Sequence, residues 1–594
     1  MPGDADTSSS DDTVGALQAI RARLDETVAE LGRARLERDQ FMKLAQALKQ
    51  ELDALRDRMK TPREHVDADQ IQLAFEQFAK ELLEHSPRGG ATAPDGGDGA
   101  PPPAPADPPK KKPRVTPHGR SPLPEHLPML TLVTGPTALP SNADVIGSEE
   151  SFKLGYRRGG FVRLKVLRPI VLVDTVDAPA VYDSVETKLH DGDVPAPPVT
   201  AELPPTPPGT EPVFEDNGQV LVCADPLDEM IPKGLPTCDV LAHVITGKFG
   251  DKLPFNRQEG IYKRDGVNIT RGTMCGWVEK CTPLASCIVD AMVEDAIENA
   301  PFIATDATGV LVQANDKCKN GHFWVLVAGD DHVIFRYSKR HTSDEPKKFL
   351  GRFRGTVVAD ASNVFDQLFG LPDGPNEAGC WSHARRYFYK ALGSDRDRAL
   401  VAVGIINKLF DIERAIAKLP PEARLRIRKE RSVPVLDDLG KWRDQQLVHP
   451  AVADGTPIRR ALKYLVNHWA ALGRFTTDGR IPIHNNRSEL ELRRLVIGRA
   501  NWLFVGSDDS AVWTCTFVSL IASCQRHGLD PEAYLRDIFR LLPTWPHNRM
   551  LELAPKFWKA TRARIDAAEL ELPLGPITIP PRPTTQAPQQ ADAR

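Results

Sequence analysis

Asp306, Asp360 and Glu489 are the acidic residues whose surroundings best suit chemistry. Residues 302–305 form an apolar, strand-like run that ends at Asp306, and residues 356–359 form a second that ends at Asp360. Glu489 follows the pair Asn485 and Asn486 at the start of a helical pattern that also carries Arg493 and Arg494. At 3.6 residues per turn, Glu489 and Arg493 stand one above the other, which suits one carboxylate on a metal and one guanidinium on a phosphate. Glu491 is turned about 200° away and is expected outside any such site. Phosphodiester cleavage by in-line attack of a water or a 3′-hydroxyl is assisted by two Mg²⁺ ions, and three carboxylates from separate elements supply enough hard oxygen ligands; Mn²⁺ can replace Mg²⁺. Spacing alone does not select this triple, because 80 acidic residues offer many others.

The elements that must position these groups read as a sheet. Strand periodicity recurs at 322–327 and 333–337, a helix fits 344–353, and a fifth short strand fits 378–381. Three strands, a helix and a further strand is the order of a ribonuclease-H-like sheet, in which strand ends present catalytic groups. We assign this catalytic domain to residues 300–382 and 480–530, with a mainly helical insertion over 383–479. Residues 216–299 read as helical. A helix over 256–262, a turn at Arg264-Asp265-Gly266 and a helix capped by Thr270 have the proportions of a helix-turn-helix or of a plain helical hairpin. Arg271 and Lys280 are its candidate DNA contacts.

The remaining segments are organised by composition. At 594 residues the chain exceeds one core and predicts several domains. Its 52 prolines are unevenly spread and mark linkers at 87–128, expected to be disordered, and at 195–215. Residues 13–60 carry a heptad with Leu24 and Leu31 in the seam, which predicts a coiled coil that pairs two chains; a helix follows at 61–86. Residues 129–194 suggest a small β module, residues 531–574 a C-terminal helical region, and residues 575–594 a disordered tail. Nine cysteines without CxxC pairs indicate neither disulfides nor a zinc ribbon, so no zinc is expected. A net charge of −4 neither favours nor excludes nucleic acid, since phosphate binding depends on local basic surface. No apolar run approaches a membrane span and the N-terminus is polar, so a cytoplasmic protein is expected.

Several motifs, in order, carry a resemblance. These are Leu241-Ala-His-Val with Lys248, Leu253-Pro-Phe-Asn-Arg-Gln258, Phe302-Ile-Ala-Thr-Asp-Ala-Thr308, Cys380-Trp-Ser-His-Ala-Arg-Arg386, Asn485-Asn-Arg-Ser-Glu489, and the run from Gly498 to Ser507. From about residue 17 to residue 560 the chain resembles transposases of the bacterial insertion sequence sixty-six family, which are of the DDE type. The resemblance places the catalytic, metal-binding triad on Asp306, Asp360 and Glu489, and implies the helical insertion. It implies DNA as partner, both element ends and target, with Arg385, Arg386, Arg493 and Arg499 as further DNA contacts. Cys380 and His383 resemble a Cys-x-x-His signature and are expected to pack and orient the insertion, while Asn485 and Asn486 are expected to cap the glutamate helix. Small accessory proteins from the same element and a nucleoid-associated location are also implied.

The chain departs from the family pattern in places. Ala307 and His484 stand where acids are usual, Ala500 where a lysine is usual, and residues 129–222 lack the cysteines of the zinc ribbon expected there. The leading expectation is a multidomain α+β enzyme that cuts and joins DNA. Its rival is a domesticated, catalytically inactive DNA-binding derivative. A ribonuclease-H-like nuclease of repair explains the triad but not the other motifs.

Overall fold

A computed structural model describes residues 123–157, 159–201, 218–315 and 317–583. The predicted coiled coil (13–60), the helix at 61–86, most of the linker at 87–128, residues 202–215 of the proline-rich linker and the end of the predicted tail lie outside the described residues. The architecture is mixed, with two sheets and many helices.

The first sheet contains β1 (Met129–Pro136), β2 (Asp144–Arg157), β3 (Gly160–Asp174), β4 (Val185–Asp191) and β5 (Gln219–Cys223). The long β2–β3 hairpin turns at Gly159, whose φ of 111° is open to glycine and strained for other residues. β3 also pairs with β1 in parallel and with β5 antiparallel, so its backbone is bonded on both sides along most of its length. β5 corrects the expected boundary, because it returns to the β module from beyond the proline-rich stretch instead of opening the helical region. Leu130, Leu132, Val162, Leu164 and Val166 form a small core on one side of this sheet, closed by Leu574 from near the C-terminus.

The helical region follows as α1 (Cys238–Ile245), α2 (Phe255–Arg264) and α3 (Arg271–Asn299). Thr270 caps α3, its hydroxyl accepting from the Thr273 amide at 3.2 Å. Met274, Trp277, Val278, Cys281, Ile288 and Met292 are buried along α3, at the three-and-four spacing of an amphipathic helix.

The second sheet is larger, with β6 (Phe302–Val312), β7 (Lys319–Ala328), β8 (His332–Ser338), β9 (Thr356–Val358), β10 (Asn376–Ala378) and β11 (Phe504–Val505). Its order is β10-β9-β6-β7-β8, with β11 also on β6. β6, β7 and β8 are antiparallel, while β9, β10 and β11 run parallel to their neighbours. A helix, α4 (Asp344–Leu350), links β8 to β9. Then α5 (Trp381–Ala391) and α6 (Arg396–Ile416) open a helical stretch that runs to Gly473. The chain returns to the sheet with α7 (Asn486–Trp502) and α8 (Asp508–Arg526), and α9 (Pro531–Leu541) follows.

β8 is an edge strand, and α8 satisfies it. Ser519 accepts from the Phe335 amide at 2.7 Å, and Ser523 accepts from the Val333 amide at 3.0 Å and donates to the Val333 carbonyl at 3.1 Å. Hydroxyls thus replace a strand, which blunts the edge. Near the C-terminus, residues 575–583 are packed rather than free, correcting that part of the expected tail. Ile577 and Ile579 rest on the core, and Arg540 and Arg549 donate to the carbonyls of Gly575 and Pro580, both at 2.9 Å.

Candidate active site

The site begins with a gap in strand pairing. Along one side β6 bonds to β7 from Ile303 to Val312. Along the other it bonds to β9 only over residues 302–304 and to β11 only over residues 311–312. Asp306 lies in the gap between, so it sits within a strand and not at its end, as the sequence had suggested. Ala304 is opposite Val358 in the last pair of the parallel β6–β9 ladder, Asp306 and Asp360 each follow two residues later, and the Asp360 charge acts on Asp306. Parallel neighbours at equal register bring two carboxylates to one spot.

Glu489 reaches the same place from α7. Asn485, at the start of that helix, donates from its side chain to the Thr305 carbonyl at 2.8 Å, one residue before Asp306. This corrects the capping role expected for Asn485: the residue is in the N-cap position, but its side chain ties the helix to β6. Its amide in turn donates to the buried Cys380 Sγ at 3.3 Å. Asn486 accepts from the Ser382 hydroxyl at 3.2 Å. Both asparagines therefore join the segment before α7 to β6 and to the start of α5. Trp381 reinforces the join, donating from its backbone to Ile483 at 3.1 Å and from its indole to Leu472 at 2.8 Å.

The electrostatics agree with convergence. Burial pushes the Asp306 carboxyl up to about 7, against a hydrogen bond from the Ala307 amide, and Asp360 and Glu489 add to the rise. Asp360 and Glu489 are themselves raised, first by burial, with Arg386 opposing the rise in both. Arg386 acts on all three carboxylates and Arg493 on Glu489, so these two arginines fall at the site. His383 Nε2 is 3.9 Å from Glu489, and burial followed by the Arg386 charge lowers its pKa to about 4. It is therefore neutral near pH 7 and adds no charge that would repel a cation.

Other predicted contacts are placed differently. Arg385 points to the insertion, donating to Asn407 at 3.1 Å and covering the Phe410 ring at 4.5 Å. Arg499 is committed to β6, donating to the Gly309 carbonyl and to Thr308 at 3.0 Å. Arg271 and Lys280 are exposed on α3, and among the described residues neither bonds to a site residue. Glu491 is buried and ion-paired with Arg494. Sequence reasoning missed His341, which acts on Asp360 and stacks on Trp324 with ring centres 5.1 Å apart. No local pattern announces it, because only the fold carries the loop after β8 toward β9.

The donor set consists of carboxylates, which are hard oxygen ligands, and burial raises all three, so a dication would restore their charged forms. On that chemistry the residues fit Mg²⁺ or Mn²⁺. Among the described residues no three His, Cys, Asp or Glu side chains already stand in a ligating cluster. No described helix is long and apolar enough to cross a membrane.

Comparison with known proteins bears on this site. Residues 233–512 match the family described as "Transposase IS66 family", and residues 519–555 match "IS66 C-terminal element". Among relatives from Sinorhizobium fredii (strain NBRC 101917 / NGR234), uncharacterized protein y4hP is 29% identical over 358 residues, which is 56% of this chain and 64% of that protein. Uncharacterized protein y4qI is 29% identical over 344 residues, 55% of this chain and 63% of that protein. Uncharacterized protein y4jD is 28% identical over 347 residues, 55% of this chain and 67% of that protein. The chain thus spans less than two thirds of the length of the first two. The matched segment holds Asp306, Asp360, Cys380, His383, Arg386, Asn485 and Glu489 together, and the chain belongs to the IS66 family of transposases.

Proposed function

We propose that this chain is a DDE-type transposase that binds the ends of an insertion sequence, cleaves DNA strands there and transfers them to target DNA. The observation that supports the reading is the β6–β9 register, which ends two residues before both Asp306 and Asp360, with Asn485 fastening the helix of Glu489 to the same stretch of β6. The strand order β10-β9-β6-β7-β8, with its three antiparallel and two parallel members, supports a ribonuclease-H-like core. Two Mg²⁺ ions, or Mn²⁺ in their place, held by Asp306, Asp360 and Glu489 would activate the attacking water or 3′-hydroxyl and stabilise the leaving oxygen.

The chain's own groups do the rest. Arg386 offsets the three carboxylates when the protein is alone and is well placed to meet a phosphate. Arg493, one turn after Glu489, is aimed at the same strand. Cys380 and Asn485 fix where Glu489 stands, so they act as positioning residues. Self-association through the predicted coiled coil and help from accessory proteins belong to the same proposal, since two element ends require more than one site.

The test is cleavage of DNA carrying the element's ends. Asp306→Asn, Asp360→Asn and Glu489→Gln should each lower strand cleavage and transfer by about 10³-fold while DNA binding persists. The exposed Asp438→Asn serves as control. Parental rates in any of the three remove that residue from the site. Binding to the ends without any cleavage by the parent leaves a DNA-binding derivative as the better reading.

A further inference from the structure

The face of α7 that begins at Glu489 continues as an exposed apolar strip. At 100° per residue, Arg493, Val496, Ala500 and Leu503 lie within about 40° of Glu489, over a rise of about 20 Å. Leu495 and Gly498, about 120° and 180° from Glu489, are buried, and Leu492 is buried at the strip's border, so the strip lies toward the outer surface of the helix. Leu503 is 66% exposed, Ile497 59% and Phe504 42%. Leu311, also exposed, is registered with Phe504 across the β6–β11 pair and widens the strip.

Two further observations indicate what covers it. Leu503 has φ 58° and ψ −47°, close to a γ-turn conformation that is rare and strained for a side-chain-bearing residue. A strained, solvent-facing leucine is hard to explain by packing, because it has little core to fill. The surrounding charge is positive. Between residues 490 and 504, Arg493, Arg494 and Arg499 outnumber Glu491, although Arg494 is paired with Glu491 and Arg499 is bonded to Gly309 and Thr308 of β6. At the end of the helix, Arg257 approaches Asn501 at 3.5 Å and Lys248 lies 5.9 Å from the Trp502 ring centre. An apolar ridge bordered by cations and starting at a carboxylate site matches nucleic acid whose bases are unstacked: ring faces meet the ridge and phosphates meet the cations.

We infer that Leu503 and Phe504, with Val496 and Ile497, bind unpaired bases of the DNA next to the scissile position and hold the strands apart there. The inference rests on the reading of Glu489 as part of a DNA-cutting site. The strip then sets a preference for frayed or forked DNA, and the small side chain of Ala500 leaves room for a base.

The test uses the full chain carrying Asp306→Asn, so that binding is measured without cleavage, and two defined DNAs, a fully paired duplex and the same sequence with one end forked. The protein should prefer the fork by about tenfold, the scale of one or two base-stacking contacts. Leu503→Ser with Phe504→Ser should abolish the preference and leave duplex affinity and solution mass unchanged. Leu503→Gly suits the positive φ and keeps the fold, and it should weaken the preference in part. An unchanged preference in the double variant, or no preference in the starting protein, overturns the inference. So does a change in solution mass with fork binding intact, which would mark the strip as a contact between copies. A chain that shows this preference but never cuts DNA sinks the cutting reading alone. A chain that cuts while the double variant keeps the preference sinks only the present inference.

Discussion

The two sheets treat their central strands in opposite ways. β3 in the first sheet is bonded to β2 on one side and to β1 and then β5 on the other, and the change of partner falls at Arg168 and Pro169. β6 in the second sheet is fully bonded to β7, but on its other side it is open between residues 304 and 311. In β3 the backbone satisfies itself, and the sheet acts as a scaffold for a small core. In β6 the gap leaves backbone and side chains to be met by something else. Asn485 takes one carbonyl, and the carboxylate of Asp306 occupies the space beside it. A sheet builds a polar site most simply where it stops pairing.

The largest effect expected from disturbing that arrangement comes from Asn485. Asn485→Leu removes the bond to Thr305 and frees the start of α7, so kcat should fall about 100-fold while KM for DNA changes little, because misplacement of a catalytic group by an ångström has that scale. Steady-state kinetics with circular dichroism checks it. Full activity would mean that Glu489 is positioned by other contacts.

An effect of similar size, on stability instead of rate, is expected on the opposite edge of the same sheet. Ser519→Ala with Ser523→Ala leaves two buried β8 amides without acceptors, which should cost about 2–4 kcal/mol of stability and increase aggregation through the edge. Urea unfolding and light scattering measure both. An unchanged midpoint would show that α8 packing alone covers β8.

The smallest effect depends on pH. Asp295 on α3 is buried and bonds to His332 at 2.7 Å and Lys556 at 2.9 Å. Burial alone would raise its pKa, but the His332 and Lys556 hydrogen bonds outweigh it and hold the carboxyl below its ordinary value. A depressed folded pKa contributes stability above the unfolded value of about 3.9, and that contribution is lost as pH falls below it. The gap in stability between parent and Asp295→Asn should therefore be widest above pH ~5 and narrow by roughly 1–2 kcal/mol toward pH ~2. A gap that stays constant with pH would remove the ionised carboxylate from the account.

These predictions use parts of the fold that were unequally legible in the sequence. The runs that became β7, β8 and β9 are apolar with strand spacing, and α7 opens where the paired asparagines suggested. The continuation of β6 beyond Asp306 was hidden because Ala307, Thr308 and Gly309 are small, the first two half-buried and the last exposed, so they lack the alternation that marks a strand. β5 was hidden by the prolines before it, since a five-residue run carries little signal of which sheet it will join. The sequence turned Glu491 away from the site but carried no sign of its burial, which Arg494, three residues on, makes tolerable. Residues 575–583 have a composition that suggests disorder, yet two isoleucines and two arginine-bound carbonyls hold them down. The acids of the candidate site could be chosen because recurring motifs single them out, but their meeting depends on register, which the sequence does not display.

The central claim is that the gap in β6 gathers Asp306, Asp360 and Glu489 into a site for divalent metal, and calorimetric titration of the full chain with Mn²⁺ tests it most directly. The account predicts saturable binding by the parent that Asp306→Asn and Asp360→Asn each weaken by at least about tenfold, with the exposed Asp438→Asn unchanged. Binding of equal strength in the parent and in Asp306→Asn would contradict it.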